Sequence, residues 1–317
     1  MMGNASSDGA ASGVRTLHGV LPVLQVPFKH DQSIDHTSLA DVAYWALGHG
    51  VDGLVIGMVS EVLRMSDRER VEVISTVAPI AEEHAIPLVA SVGADATVWA
   101  RDRALVAVAA GATAVMATPP LLVEADDAAL LRYFIGIAEA ANVPLVVQDS
   151  SGYVGRPVSV DVQASLQREL GDVVFFKPEA HPLGQRLSRL RDLTAGQAGI
   201  LDGTGGLTLS DNHRRGVIGA MPATDVCWAL TKLWRALERE DLTTAARIQG
   251  PLTALISLQT TLDAFVTIEK HLLWRQGVIA NAAIREPSSY KLDPETAAEA
   301  ERLTAVLRDA CSCGDVA

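Results

Sequence analysis

Lys177 closes an apolar run, VVFF, within the segment GDVVFFKPEAHP at residues 171–182. Four such residues in a row have the pattern of a buried strand. Lysine is among the side chains least often buried, because its ammonium must be desolvated. Two readings follow. Lys177 marks the strand's exit into solvent, or its amine sits in a dry pocket where a lowered pKa makes it a nucleophile for a carbonyl carbon. Glu179 stands two positions on and would share the face of Lys177 if the strand continued. Pro178 could equally end the strand and leave Glu179 in water. An imine-forming amine also requires Glu179 to turn away or to be protonated, since an ionised carboxylate stabilises an ammonium.

A lysine of this kind needs a frame that brings other groups to it. Eight short apolar, β-branched segments recur along the chain: VLPVLQVPF, DGLVIG, PLVASVG, ATAVMATP, VPLVVQD, VVFFKP, AGILDG and GVIGAMP. Most are separated by helix-like stretches, as βα repeats demand. In the first, Asp35 can cap a helix in which Leu39, Val42, Ala43 and Ala46 form an apolar stripe, ended by Gly50. The seventh unit is the weakest, because LRDLTAGQAG leaves little helix before ILDG. Near-continuous apolar strands are buried on both faces, which is the mark of a parallel sheet. The fold expected is an α/β, (βα)8 TIM barrel over residues 17–235, with additional C-terminal helices over 236–310 packed on the barrel or at a subunit contact. Residues 1–16 read as a disordered tail and 311–317 as a frayed one. In the clearest late helix, DPETAAEAERLTAVLRDA, Asp293 caps and Pro294 takes the first helical position. A barrel collects the C-terminal ends of its strands around one pocket. That places Lys177 with Met58, Val59, Ser60, Glu61, Gln148, Asp149, Gly203, Thr204 and Met221. Asp149 and Thr204 are the weaker candidates, since an Asp at a strand end often only caps a helix.

Composition excludes several classes of function. The chain has 317 residues and a net charge of −12, which argues against nucleic acid and anionic membrane as partners. Aromatic residues are only 4%, so the core must be aliphatic and alanine-rich. No stretch reaches the length of a membrane span, and the N-terminus lacks a basic segment followed by an apolar one. The three cysteines form no disulfide framework, so a reducing, cytoplasmic setting is expected. The eight histidines are scattered with no ligand spacing, and LDGTGGL reads as a flexible loop rather than a dinucleotide site. Neither a metal nor another cofactor is expected. HRRG reads as a solvated helix end, and Leu230, Leu233, Trp234 and Leu237 as one buried helical face.

The ordered set GLVIGMVSEVLRMSDRER, ATPPLL, VPLVVQD, VVFFKPEA and GVIGAMP resembles the dihydrodipicolinate synthase and N-acetylneuraminate lyase family of Schiff-base lyases, over residues 19–307. The resemblance implies a (βα)8 barrel, usually tetrameric, with the imine on Lys177. It implies that Met58, Val59 and Ser60 stand where a Gly-Thr-Thr-Gly-Glu turn binds the substrate carboxylate, that Glu61 keeps the turn's last position, and that Gly203 and Met221 line the imine pocket. The departures are specific. Gln148 stands where the family has a proton-relaying tyrosine, Leu121 where it has a second, and Met58 and Val59 replace both turn threonines. The arginine that holds a dicarboxylic ligand in the synthases falls near Tyr153, and Arg156 is out of register. An amide orients a hydroxyl or water but exchanges no proton at neutral pH. With the threonines gone, carboxylate binding is expected to rest on the backbone N–H groups of the Met58–Ser60 turn, since the side chains there, apart from Ser60, cannot donate.

The features QD, KPEAHP and GAMP resemble the branch acting on 2-keto-3-deoxy sugar acids such as 2-keto-3-deoxyarabonate. The expectation is a dehydratase working through a Lys177 imine, with Gln148 and Glu179 as its other catalytic groups, a small 2-keto acid as substrate and a dimer or tetramer as the assembly. A pyruvate-dependent aldolase or synthase is the alternative. A barrel that only binds a keto acid is the third reading; it leaves the lysine unexplained.

Overall fold

The computed structural model describes residues 17–312. Its strands are β1 (Gly19–Val20), β2 (Leu54–Ile56), β3 (Leu88–Ser91), β4 (Ala114–Ala117), β5 (Leu145–Gln148), β6 (Val174–Lys177), β7 (Gly199–Asp202) and β8 (Gly219–Ala220). The helices are α1 (His36–Gly48), α2 (Asp67–Glu83), α3 (Thr97–Ala109), α4 (Asp127–Ala141), α5 (Val160–Leu170), α6 (Leu183–Leu193), α7 (Leu209–Arg214), α8 (Cys227–Glu238), α9 (Leu242–Ile256), α10 (Leu262–Arg275) and α11 (Pro294–Ser312). All neighbouring strands pair in parallel, in the order β1-β8-β7-β6-β5-β4-β3-β2. Val23 bridges to both Val55 and Ala223, so the chain just beyond β1 closes the ring between β2 and β8. This is the (βα)8 barrel with C-terminal helices that the repeats predict. No helix among the described residues is long and apolar enough to cross a membrane.

Two apolar layers hold the barrel. Leu21, Val55, Val89, Met116, Val146 and Phe175 fill its interior, while Val174, Phe176, Val147 and Ile200 face the helices. The alternation along β6 is decisive. Phe175 points inward and Phe176 outward, so Lys177, at the C-terminal end, points inward again. On β5 Val146 is inward and Val147 outward, which turns Gln148 inward beside Lys177, its register partner.

The caps form as the sequence predicts: Asp35 accepts from Ser38 N–H at 3.2 Å, and Asp293 from Thr296 N–H at 2.9 Å. The helix before β7 is longer than LRDLTAGQAG suggests, because it starts at Leu183 and buries Leu183, Leu187 and Leu190. The short one is α7. At the C-terminus α11 runs through Ser312, burying Leu307 and Cys311, and so enters the segment read as frayed. The N-terminal tail, 1–16, and residues 313–317 lie outside the described residues. Leu230, Leu233, Trp234 and Leu237 are buried on α8, as their spacing requires. The C-terminal helices do more than pack, because α10 lies against the Met58–Ser60 turn at the barrel mouth.

Candidate active site

Lys177 is not the strand's exit into solvent. Its residue is 6% exposed, and Nζ donates to Glu179 Oε1 at 2.7 Å. Gln148 Nε2 donates to the same oxygen at 3.0 Å. The strand does end at Lys177, but the chain folds back and buries Glu179 at 3% exposure. Gly203 makes this possible: a Cβ there would lie 2.7 Å from Glu179 Cγ. Glu179 therefore does not turn away from the amine. Burial pushes its carboxyl above the ordinary range, while the Lys177 charge and the hydrogen bonds from Lys177 and Gln148 pull the other way.

The turn after β2 is a 3-10 turn, Met58–Ser60. The Ser60 hydroxyl donates to Leu24 O at 2.5 Å and accepts from Gly57 N–H at 3.0 Å. It braces the turn, and its one proton is committed to Leu24 O. The amides of Ser60 and Glu61 close the turn on Gly57 O and Met58 O. The first N–H groups of a helical turn have no partner within it; here they belong to Met58 and Val59, both of which line the cavity at Lys177. Glu61, left-handed at φ 64, points elsewhere and pairs with the buried Lys270 of α10. It also accepts from the Arg285 N–H at 2.9 Å.

That cavity measures about 30 Å³ and is walled by Met58, Val59, Gln148, Lys177 and Gly203 from the barrel. Tyr153 of the β5–α5 loop and Leu262, Phe265 and Glu269 of α10 complete it. A keto acid enters only as lining side chains move aside. A groove of about 370 Å³, which includes Leu63, Trp99 and Leu121, shares Met58 with it. A larger cleft of about 590 Å³ lies between α2 and α3 and does not reach Lys177.

Tyr153 and Glu269 are the residues sequence reasoning missed. Tyr153, noted only as the site of a missing arginine, packs edge-on against Phe265 with ring centroids 5.2 Å apart. Burial raises its phenol pKa, and the charges of Glu179, Glu269 and Asp202 add to the effect. Glu269 comes from a segment with no strand-end signal. Other candidates have structural partners. Met221 packs in the barrel interior, and Ala223 reaches the cavity instead. Asp149 accepts from Ser151 N–H at 3.1 Å and Arg186 at 3.4 Å. The Thr204 hydroxyl donates to Asp202 at 2.9 Å, and Asp202 also takes the Gly206 N–H at 3.0 Å, so LDGTGGL is a pinned turn. Arg156 pairs with exposed Glu124, away from Lys177.

A family model described as the dihydrodipicolinate synthetase family matches residues 16–307. The 4-hydroxy-tetrahydrodipicolinate synthase of Chloroherpeton thalassium is 27% identical over 289 residues, which span 89% of this chain and 95% of that protein. The crystal structure of a dihydrodipicolinate synthase from Rhodopseudomonas palustris superposes with a TM-score of 0.82 at 23% identity, covering 92% of this chain and 100% of the other. A prophage protein of the dihydrodipicolinic acid synthase family from E. coli K12, in complex with pyruvate, superposes at 0.84 with 20% identity, covering 92% and 98%. The two structural likenesses carry the fold.

Proposed function

The chain belongs to the dihydrodipicolinate synthetase family, and from that premise we propose a Schiff-base-forming lyase in which Lys177 takes the carbonyl of a 2-keto acid as an imine. Dehydration of a 2-keto-3-deoxy sugar acid, of the 2-keto-3-deoxyarabonate type, is the reaction its geometry supports best. The observation that carries this reading is the Glu179 carboxyl, buried and 2.7 Å from Lys177 Nζ. A proton passed from Nζ to Glu179 replaces an ion pair by two neutral groups, which a dry site favours. The neutral amine then attacks C2, and Glu179 returns the proton to the carbinolamine oxygen, which leaves as water and frees Glu179 as a carboxylate. The iminium acidifies the C3 hydrogen, Glu179 as carboxylate removes it, and the enamine expels the C4 hydroxyl once that oxygen is protonated. Gln148 orients Glu179 through the 3.0 Å hydrogen bond. The amides of Met58 and Val59 would hold the substrate carboxylate, and backbone donors are indifferent to the side chains they carry.

The names of relatives such as the Chloroherpeton protein favour a second reading, a pyruvate-dependent synthase or aldolase. It begins from the same imine but makes or breaks a carbon–carbon bond. Against it stand Gln148, Met58 and Val59, whose side chains relay no proton at neutral pH. Product analysis by NMR with 2-keto-3-deoxypentonates, and with pyruvate plus aldehydes, separates the two. Loss of water with the carbon chain intact is the expected result; release of pyruvate, or carbon–carbon bond formation, would favour the second reading. The exposed Leu63, Trp99 and Leu122 along one groove at the barrel mouth support a homo-oligomer that buries this face.

A further inference from the structure

Glu269 projects from α10, outside the barrel, yet lines the same cavity as Lys177 and Gln148. Its residue is fully buried. Gln25 Nε2 donates to Glu269 Oε2 at 2.9 Å, and Gln25 is itself held, because its Oε1 accepts from the Thr224 backbone N–H at 3.3 Å. The other oxygen, Glu269 Oε1, is buried with no hydrogen-bond partner among the described residues. Gln148 Oε1 and Glu179 Oε2 are in the same condition. Buried polar atoms are almost always paired. Unpaired atoms of three side chains gathered around one amine fit a ligand that carries several hydroxyls.

We infer that Glu269 is the catalytic acid–base group for the C4 hydroxyl of a substrate held as an imine on Lys177. The inference rests on the Schiff-base reading above and deepens it by assigning C3 to Glu179 and C4 to Glu269. In dehydration the C3–H bond breaks and its proton goes to Glu179, while the electron pair forms the enamine. The C4–O bond then breaks, its electron pair stays on oxygen, and that oxygen takes the Glu269 proton and leaves as water. In aldol cleavage the same carboxylate would instead remove the C4 hydroxyl proton as C3–C4 breaks.

Burial holds the Glu269 carboxyl well above the ordinary range, the Asp225 charge adds to this, and the Gln25 hydrogen bond and the Lys177 charge oppose it. A carboxyl whose pKa is raised in this way holds its proton to higher pH, as a donor to a poor leaving group must. Tyr153 faces the cavity too, but its phenol is pushed still further from giving up a proton.

The test compares wild type with Glu269→Gln, which keeps the shape and removes the transferable proton. Pyruvate has no C4. Borohydride trapping of pyruvate on Lys177 and exchange of its methyl protons in D2O are therefore expected to stay within about threefold of wild type, which also shows that the variant is folded. Turnover of a 2-keto-3-deoxypentonate is expected to fall by about a hundredfold or more, the scale of a lost general acid. Turnover that survives in the variant overturns the inference. Equal loss of exchange and turnover also overturns it, by making Glu269 a structural residue. Wild type that forms the adduct but leaves the pentonate unchanged overturns it as well. Absence of any wild-type adduct is the distinct outcome that sinks the Schiff-base reading itself, and this assignment with it.

Discussion

Gly203 has no side chain, and a Cβ there would lie 2.7 Å from Glu179 Cγ and 3.0 Å from Lys177 Cγ. Neither neighbour can retreat easily, because both are buried and bonded to each other. Gly203→Ala should therefore displace the pair and slow imine formation by on the order of a hundredfold, as small misplacements of reacting groups do. Stopped-flow borohydride trapping reads this directly; an unchanged rate would mean that Glu179 is not needed where it lies. Lys177 and Gln148 were legible as strand ends, because period-two alternation turns both inward once a barrel is assumed. The burial of Glu179 was not, since it depends on a missing side chain at the end of β7. The bracing role of the Ser60 hydroxyl is illegible for a similar reason: its acceptor, Leu24 O, belongs to a segment distant in sequence.

At the scale of elements, α10 closes the mouth of the barrel and delivers Leu262, Phe265 and Glu269 to the cavity. Its hold on the Met58–Ser60 turn is the fully buried Lys270–Glu61 pair, with Lys270 Nζ also donating to Ala283 O at 2.9 Å and lying 4.3 Å from the Phe28 ring centre. Lys270→Met leaves buried Glu61 with only the more distant Arg64 guanidinium, 3.8 Å away, as its cation, and breaking a buried pair in this way costs about 3–5 kcal/mol. Urea denaturation should show a loss of that size, with weaker pyruvate binding because the turn loses its brace. A midpoint unchanged from wild type would mean that the pair holds nothing. The caps of α1 and α11 were readable from Asp35 and Asp293 alone, because capping is local. The course of α10 was not, because an amphipathic pattern names the buried face without naming what covers it.

At the scale of the molecule, eight apolar β segments separated by helical stretches were enough to predict the barrel, since few topologies bury so many parallel strands. Assembly was less legible: the apolar faces of the C-terminal helices are largely consumed within the chain, while exposed Leu63, Trp99 and Leu122 share one groove at the barrel mouth. If that face is buried between copies, sedimentation at micromolar concentration gives a species of at least twice 33.5 kDa. Trp99→Glu with Leu122→Glu should shift it towards the monomer, since two buried charges facing their own copies are not tolerated. A wild-type chain that sediments as a monomer would contradict the oligomer.

The central claim is that the inward-pointing amine of Lys177 is the nucleophile. It is tested most directly by borohydride reduction in the presence of a 2-keto acid, followed by intact mass and peptide mapping of wild type, Lys177→Ala and Lys177→Arg. One adduct per chain, on the peptide holding Lys177, is expected in wild type. Neither variant should carry it or turn over substrate, because alanine has no amine and a guanidinium stays charged. An adduct elsewhere in the chain, or turnover that survives in either variant, would contradict the claim.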